Sequence, residues 1–375
     1  MTDAASIEFL TSFCATPTAP FREGHVMERV DSFARRYRAV RSERDAFGNT
    51  LLIRPGKRGA DSPRVIFVAH LDHPGFVAHS MIDARTLRAD FRGGVLASCM
   101  QGTRARFFSA DREIRAKVLV MTADASGRCT SALLRVAEGV PPGTIGMFDV
   151  TPARVSGKRL HSRACDDLAG AAATLTMLAE LAAKPAMADV GVLLTRGEEE
   201  GFIGAIAACQ QPKLLRKDDR VISVECSAEQ PVARQGEGVV LRIGDRTSIF
   251  NSAFSRFIFD CALALASREK RFRYQRALMP GGTCEATTFD AWGYCAAALC
   301  VPLGNYHNMD RERERIAAEH VHLDDWRNMV RLFVEVARAA HTFSGSHEEL
   351  RQRLTARFET HRHQLTMRGT VHGGS

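Results

Sequence analysis

A chain of 375 residues that is 45% hydrophobic and 25% charged has a globular composition, with room for one large domain or two smaller ones. Its apolar runs are short and broken by charges or glycine, which excludes a transmembrane span and argues against a membrane partner. The net charge of +8 comes from arginines interleaved with acidic residues, and two Trp and four Tyr give few stacking platforms, so no nucleic-acid role is expected.

The opening stretch "MTDAASIEFLTSF" lacks the basic and apolar regions of a signal peptide. The ten cysteines show no paired spacing, and Cys226, Cys261, Cys295 and Cys300 fall in apolar runs, where a reduced thiol behaves as a small hydrophobe. A cytoplasmic protein is the expectation. Residues 23–37 carry Val26, Val30, Phe33 and Ala34 at helical spacing. "DAFGNTLLIRPGKRG" reads as a turn at Gly48-Asn49 and a short strand. "RVIFVAHLD" is a continuous apolar run, the signature of a strand buried on both faces of a parallel sheet.

Over residues 77–162 the texture changes to short β-rich runs separated by Gly, Pro, Asp and Ser, without helical period. Then "DDLAGAAATLTMLAELAAK" predicts a helix with two aspartates at its start, where carboxylates suit the free N–H groups. "DVGVLLT", "RVISVEC" and "GYCAAALCVPL" read as strands. "GFIGAIAAC" and "FNSAFSRFIFDCALALASRE" read as helices, and a last helix carries Trp326, Met329, Val330, Phe333, Val334 and Ala337 on one face. The final "THRHQLTMRGTVHGGS" reads as frayed. The expected fold is α/β: a mostly parallel central sheet flanked by helices, built from residues 1–76 and 163–345. An all-β, barrel-like insertion occupies 77–162, and 346–375 form a tail.

In open parallel sheets ligands bind beyond the carboxyl ends of the strands. Here "VIFVA" is followed by His70 and Asp72, "VGVLL" by Glu198, Glu199 and Glu200, "VISV" by Glu225, and "CAAALCVPL" by His307, while Asp166 and Asp167 open the helix after the insertion. Two imidazoles and several carboxylates emerging on one sheet edge suit a borderline divalent metal such as zinc. One carboxylate can bridge two ions about 3.5–4 Å apart.

The ordered set H-x-D, D-D at a helix start, E-E-x-G, an acidic strand end and a late His resembles the dinuclear zinc exopeptidases, and within them the deblocking or tetrahedral aminopeptidases, including those labelled cellulase-like. The stretches that carry it are "AHLDHPGFVAH", "RACDDLAGAAATL", "GEEEGFIGA", "GEGVVLRIGDR", "FRYQRALMPGGTCEATTF" and "GNYHN", within residues 12–338. The resemblance implies two divalent ions, zinc with cobalt or manganese as alternatives, bridged by Asp166. His70 and Glu225 complete one site; Glu199 and His307 complete the other. Glu198 is then the general base acting on the metal-bridged water, and Asp72 orients His70 from behind. With Gly201 as the glycine of E-E-x-G, Glu200 falls at the variable position and faces solvent.

The implied activity is hydrolysis at the N-terminus of short peptides by a homo-oligomer. A carboxypeptidase, dipeptidase or N-acyl amide deacylase would use the same metal pair, and an inactive ligand-binding homologue is the non-enzymatic alternative. The chain departs from the aminopeptidase pattern at His73-Pro74, where an acidic residue is usual after H-x-D, at Glu225, where Asp is commoner, and at Cys284, where "GGTC" replaces "GGTD". Glu285 follows Cys284 as a possible substitute. The basic run from Arg268 to Arg276 is either a solvated edge or a bias toward acidic substrates.

Overall fold

The computed structural model describes residues 1–59, 62–109 and 112–365. Its centre is four parallel strands in the order Val190–Thr195, Val65–His70, Arg220–Ala228 and Cys295–Gly304. The first two are buried at every position, because helices cover both faces of the sheet, and that explains their unbroken apolar sequence. The helix Leu168–Ala183 lies along one face, and its alanines let it approach the sheet closely. The helix Leu323–Ala339 packs beside it, with the Phe333 ring 4.8 Å from that of Phe67 and Trp326 Nε1–H donating to the carbonyl of Ala169 at 2.9 Å.

The sheet is mixed rather than mostly parallel at its margins. Arg41–Arg44 and Thr50–Arg54 extend one side antiparallel. Glu319–His322, Arg159–Ser162 and Ala153–Ser156 extend the other. Val239–Asp245 also pairs antiparallel with Cys295–Gly304 and parallel with Tyr274–Met279. These flanking strands are mostly short and partly exposed, so they carry no long apolar run to betray them. Two of them, Ala153–Ser156 and Arg159–Ser162, lie inside the expected 77–162 insertion yet belong to the main sheet.

The remaining strands of that region close a six-stranded barrel: Gly75–Asp83, Thr86–Arg92, Cys129–Val136, Arg112–Ala123, Arg104–Ser109 and Ile145–Phe148. Phe76 sits at its centre, edge-on to Phe91 at 4.9 Å and to Phe148 at 5.6 Å. Each such fully buried ring contributes about 1.5–3 kcal/mol relative to exposure, enough to give the barrel a core of its own.

At the C-terminus, Glu348–Leu365 forms a helix where the sequence reads as a tail, and the remainder of the stretch expected to fray, 366–375, lies outside the described residues. Among the described residues the ten cysteines form no disulfide, and all but Cys295 are buried. Among the described residues no helix is long and apolar enough to cross a membrane.

Candidate metal centre

The polar strand ends meet at one edge of the sheet. His70 ends its strand directly opposite Thr195, so the turn that follows Thr195 rises beside it. That turn is Glu198–Glu200, held between Gly197 (φ 62°) and Gly201 (φ 102°), both left-handed. Gly197 has a second reason to be glycine, since a Cβ there would run into the Phe21 ring. His307 follows the strand Cys295–Gly304 and is itself left-handed, at φ 55°.

Asp166 stands between the two imidazoles. Its Oδ1 lies 3.6 Å from His70 Nε2 and its Oδ2 lies 3.7 Å from His307 Nε2. Glu225 Oε2 is 4.0 Å and Glu198 Oε2 is 3.8 Å from His70 Nε2, while Glu199 Oε1 is 3.0 Å from His307 Nε2. Two groups of three result, His70/Asp166/Glu225 and Asp166/Glu199/His307, each offering ligand atoms within 4.8 Å of one another. Nitrogen and carboxylate donors at this spacing fit zinc-like cations. Asp166 Oδ1 is buried without a hydrogen-bond partner among the described residues, which is costly for an anion unless a cation faces it.

A second layer orients these groups. His70 Nδ1–H donates to the backbone carbonyl of Asp72 at 3.1 Å, nearer than the Asp72 carboxylate at 3.7 Å. That carboxylate instead accepts the N–H groups of Glu198 at 3.0 Å and Glu199 at 3.1 Å, so Asp72 shapes the turn Glu198–Glu200 as well as flanking His70. His307 Nδ1–H donates to Gly94 of the barrel at 3.1 Å. His73 Nδ1–H donates to the carbonyl of Asp166 at 2.6 Å, and its Nε2 meets the Asn308 amide oxygen at 3.0 Å. Glu200 is exposed, and its Oε1 accepts the Gly93 N–H at 2.8 Å. Asp166 and Asp167 are joined by a cis peptide, and Asp167 makes no capping bond to the helix it precedes.

Without cations the cluster holds protons. Burial, then the charge of Glu225 and Glu199, pushes Glu198 well above the carboxylate range against the pull of His70. Burial raises Glu225 and Asp72 each to about 7. Against burial, Glu198 and Asp166 hold His70 well above its ordinary value, and Glu199 lifts His307 to about 9. Cations would replace these protons.

The centre lines a cleft of about 850 Å³. Arg242 reaches it from the strand Val239–Asp245, buried, with Nη1 donating to Ser227 Oγ at 3.0 Å and Nε unpartnered among the described residues. No residue of the run 268–276 lines the cleft; Arg268 pairs with Glu335 at 2.8 Å and the Arg276 guanidinium sits 4.4 Å from the Phe259 ring centre. Cys284 is buried and its N–H donates to Asp245 at 3.0 Å, while Glu285 is fully buried.

Three contributors escape the sequence patterns. Glu319 is fully buried and accepts the N–H groups of His307 at 2.8 Å, Cys165 at 2.7 Å and Asp166 at 3.1 Å. Gly94 acts through its carbonyl, which spacing cannot reveal. Arg242 left a trace: it is a lone charge inside the apolar run "VVLRIG".

A family model described as M42 glutamyl aminopeptidase matches residues 130–332. No curated protein matches the chain. Among solved structures, the aminopeptidase APDkam598 from the archaeon Desulfurococcus kamchatkensis is 22% identical, with 90% of this chain and 96% of that one covered and a TM-score of 0.75. The Pyrococcus horikoshii TET1 peptidase, described as able to assemble into a tetrahedron or a large octahedral shell, is 21% identical, with 88% and 99% covered and a TM-score of 0.73. A TET aminopeptidase from a marine-sediment Thaumarchaeota archaeon is 18% identical, with 89% and 97% covered and a TM-score of 0.74.

Proposed function

The chain belongs to the M42 glutamyl aminopeptidase family and is a metal-dependent aminopeptidase, and from that premise we propose which residues do the work and on which peptides. His70, Asp166 and Glu225 would hold one divalent cation, and Asp166, Glu199 and His307 would hold the second, with Asp166 common to both groups. The observation that carries this reading is the pair of three-residue groups sharing a single carboxylate. Zinc is the proposed metal, with cobalt or manganese acceptable to the same donors.

The cation pair, when bound, acidifies a water and polarises the scissile carbonyl. Glu198 then takes the proton of the attacking water and returns it to the leaving amine. Its place 3.8 Å from His70 Nε2, outside both three-residue groups, suits a base rather than a ligand. Asp72 holds the turn so that Glu198 and Glu199 face the centre together.

The substrate proposed is a short peptide with an acidic N-terminal residue. Arg242 supports it: a guanidinium stays charged even when buried, and this one lines the cleft, where its positive charge favours a substrate carboxylate. The proposal extends to a homo-oligomer, as described for the TET1 relative, and to a reducing cytoplasm, which buried cysteines outside any disulfide suit. The deciding experiment is digestion of a peptide library with added zinc, cobalt or manganese, read by mass spectrometry. Release of Glu or Asp from free N-termini is expected. Cleavage confined to C-termini or N-acylated amino acids would remove the proposal.

A further inference from the structure

Glu200 belongs to neither three-residue group, yet it adds a third negative charge to a turn that already carries two. An exposed acid placed there without purpose would only repel its neighbours. Its contact gives it one. Glu200 Oε1 accepts the N–H of Gly93, on the loop that leaves the barrel strand Thr86–Arg92. The next residue, Gly94, accepts His307 Nδ1–H through its carbonyl. That bond leaves Nε2 as the nitrogen facing Asp166 and Glu199.

We propose that Glu200 is a positioning residue for the His307 side of the metal centre, acting through the barrel loop at Gly93 and Gly94. The covalent and hydrogen-bonded path closes a ring: Glu199, Glu200, Gly93, Gly94, His307, and back to Glu199 across 3.0 Å. Gly93 and Gly94 have no side chains with which to hold this shape. Gly93 is left-handed (φ 94°) and a Cβ on it would lie 2.8 Å from the Pro74 ring; a Cβ on Gly94 would lie 3.4 Å from His307 Nδ1. Their backbone is fixed by its neighbours: Val95 N–H donates to Gly93 at 3.1 Å and Cys129 N–H to Val95 at 2.9 Å, and docking adds to this. Leu96 N–H donates to Met309 Sδ at 3.4 Å on one side and Glu200 fastens Gly93 on the other, with the His307 contact between.

The His70/Asp166/Glu225 group makes no hydrogen bond to this loop among those described, so the influence of Glu200 falls on one of the two cations. Residues that orient a metal ligand typically alter metal affinity about 10–100-fold, and the exposure of this bond, where water can stand in, puts the expected effect near the lower end.

The proposal rests on the ligand assignment above, and its test reads metal binding as well as turnover. Zinc alone is titrated, against a chromogenic competitor, into the metal-free full-length protein as wild type, Glu200→Gln and Glu200→Ala. Glutamine keeps an acceptor oxygen and alanine removes it. Glu200→Ala is expected to weaken one of two binding events about tenfold and leave the other unchanged. Glu200→Gln stays near wild type, and the melting temperature of the metal-free protein is the same in all three. Turnover of Glu200→Ala falls at limiting zinc and recovers at saturating zinc, with KM unchanged. Equal zinc affinity in Glu200→Ala and wild type overturns the proposal, as does equal weakening of both events or a fall in metal-free stability that accounts for the loss. A wild type that takes up no zinc overturns the ligand assignment itself, and is recognised because all three proteins then behave alike.

Discussion

The carboxylate of Asp72 accepts the backbone N–H of Glu198 at 3.0 Å, and its second oxygen accepts that of Glu199 at 3.1 Å. A buried carboxyl group thereby holds a turn that carries three more. The turn's own backbone donors satisfy it, while His70 lies 3.7 Å away. Removing both oxygens in Asp72→Ala is expected to lower kcat by about tenfold or more while most metal is retained, the usual size of losing an orienting partner. Asp72→Asn, with one acceptor left, falls between. Steady-state kinetics with metal analysis of the same samples checks this. Metal lost in step with kcat would show that Asp72 acts chiefly through His70.

Glu198→Gln separates base from ligand. The amide cannot take a proton, but it fills the same space and leaves both three-residue groups intact. Turnover is expected to fall about 10²–10⁴-fold, the range for loss of general acid–base catalysis, with two metals still bound. Unchanged kcat would assign the base to another residue, and lost metal would make Glu198 a ligand.

The centre was legible in the sequence because parallel strands advertise themselves. Val65–His70 and Val190–Thr195 are covered on both faces, so each reads as an apolar run, and the polar residue at its end stands out. Fold and ligand candidates follow from that contrast. What stayed hidden depends on groups with no sequence signature. Glu319 works by accepting backbone N–H groups from Cys165 and Asp166, more than 150 positions earlier in the chain. Gly94 offers only a carbonyl, and Glu200 finds its partner 107 positions away. The marginal strand Thr50–Arg54 was legible as a short apolar run after its turn, but Arg159–Ser162 alternates in burial over only four residues, too few to establish a period.

Arg242 is the proposed determinant of the substrate. It is a buried cation with one N–H unpartnered among the described residues, in the cleft that also contains Glu225 and Glu198. A charged hydrogen bond to a substrate carboxylate contributes about 1.5–3 kcal/mol, or roughly 10–150-fold in kcat/KM. Arg242→Met keeps the volume and removes the charge. It is expected to lose that factor on glutamyl-p-nitroanilide and little on leucyl-p-nitroanilide. Equal losses on both would mean that Arg242 serves the fold or Glu225 rather than the substrate.

Metal removal should make stability depend on pH in one direction. In the metal-free protein burial raises Glu225 and Asp72 to about 7 and Glu285 to about 8, and Glu199 raises His307 to about 9. Every one of these folded values lies above the unfolded one, about 4 for the carboxyls and about 6.5 for the imidazole. The native state therefore binds more protons than the unfolded chain. The carboxyl contributions are complete only below about pH 4, that of His307 below about pH 6.5, and each is lost as pH rises through its folded value. Cations reverse the logic, because they stabilise the ionised carboxylates and neutral imidazoles that high pH favours. The melting temperature of chelator-treated protein is expected to fall steadily between about pH 5 and pH 9, while zinc-loaded protein stays nearly flat, so the gap between them widens with pH. Thermal unfolding of both forms across that range is the measurement. A gap that stays constant or narrows would show that the cluster does not hold its protons, and that cations are not what displaces them.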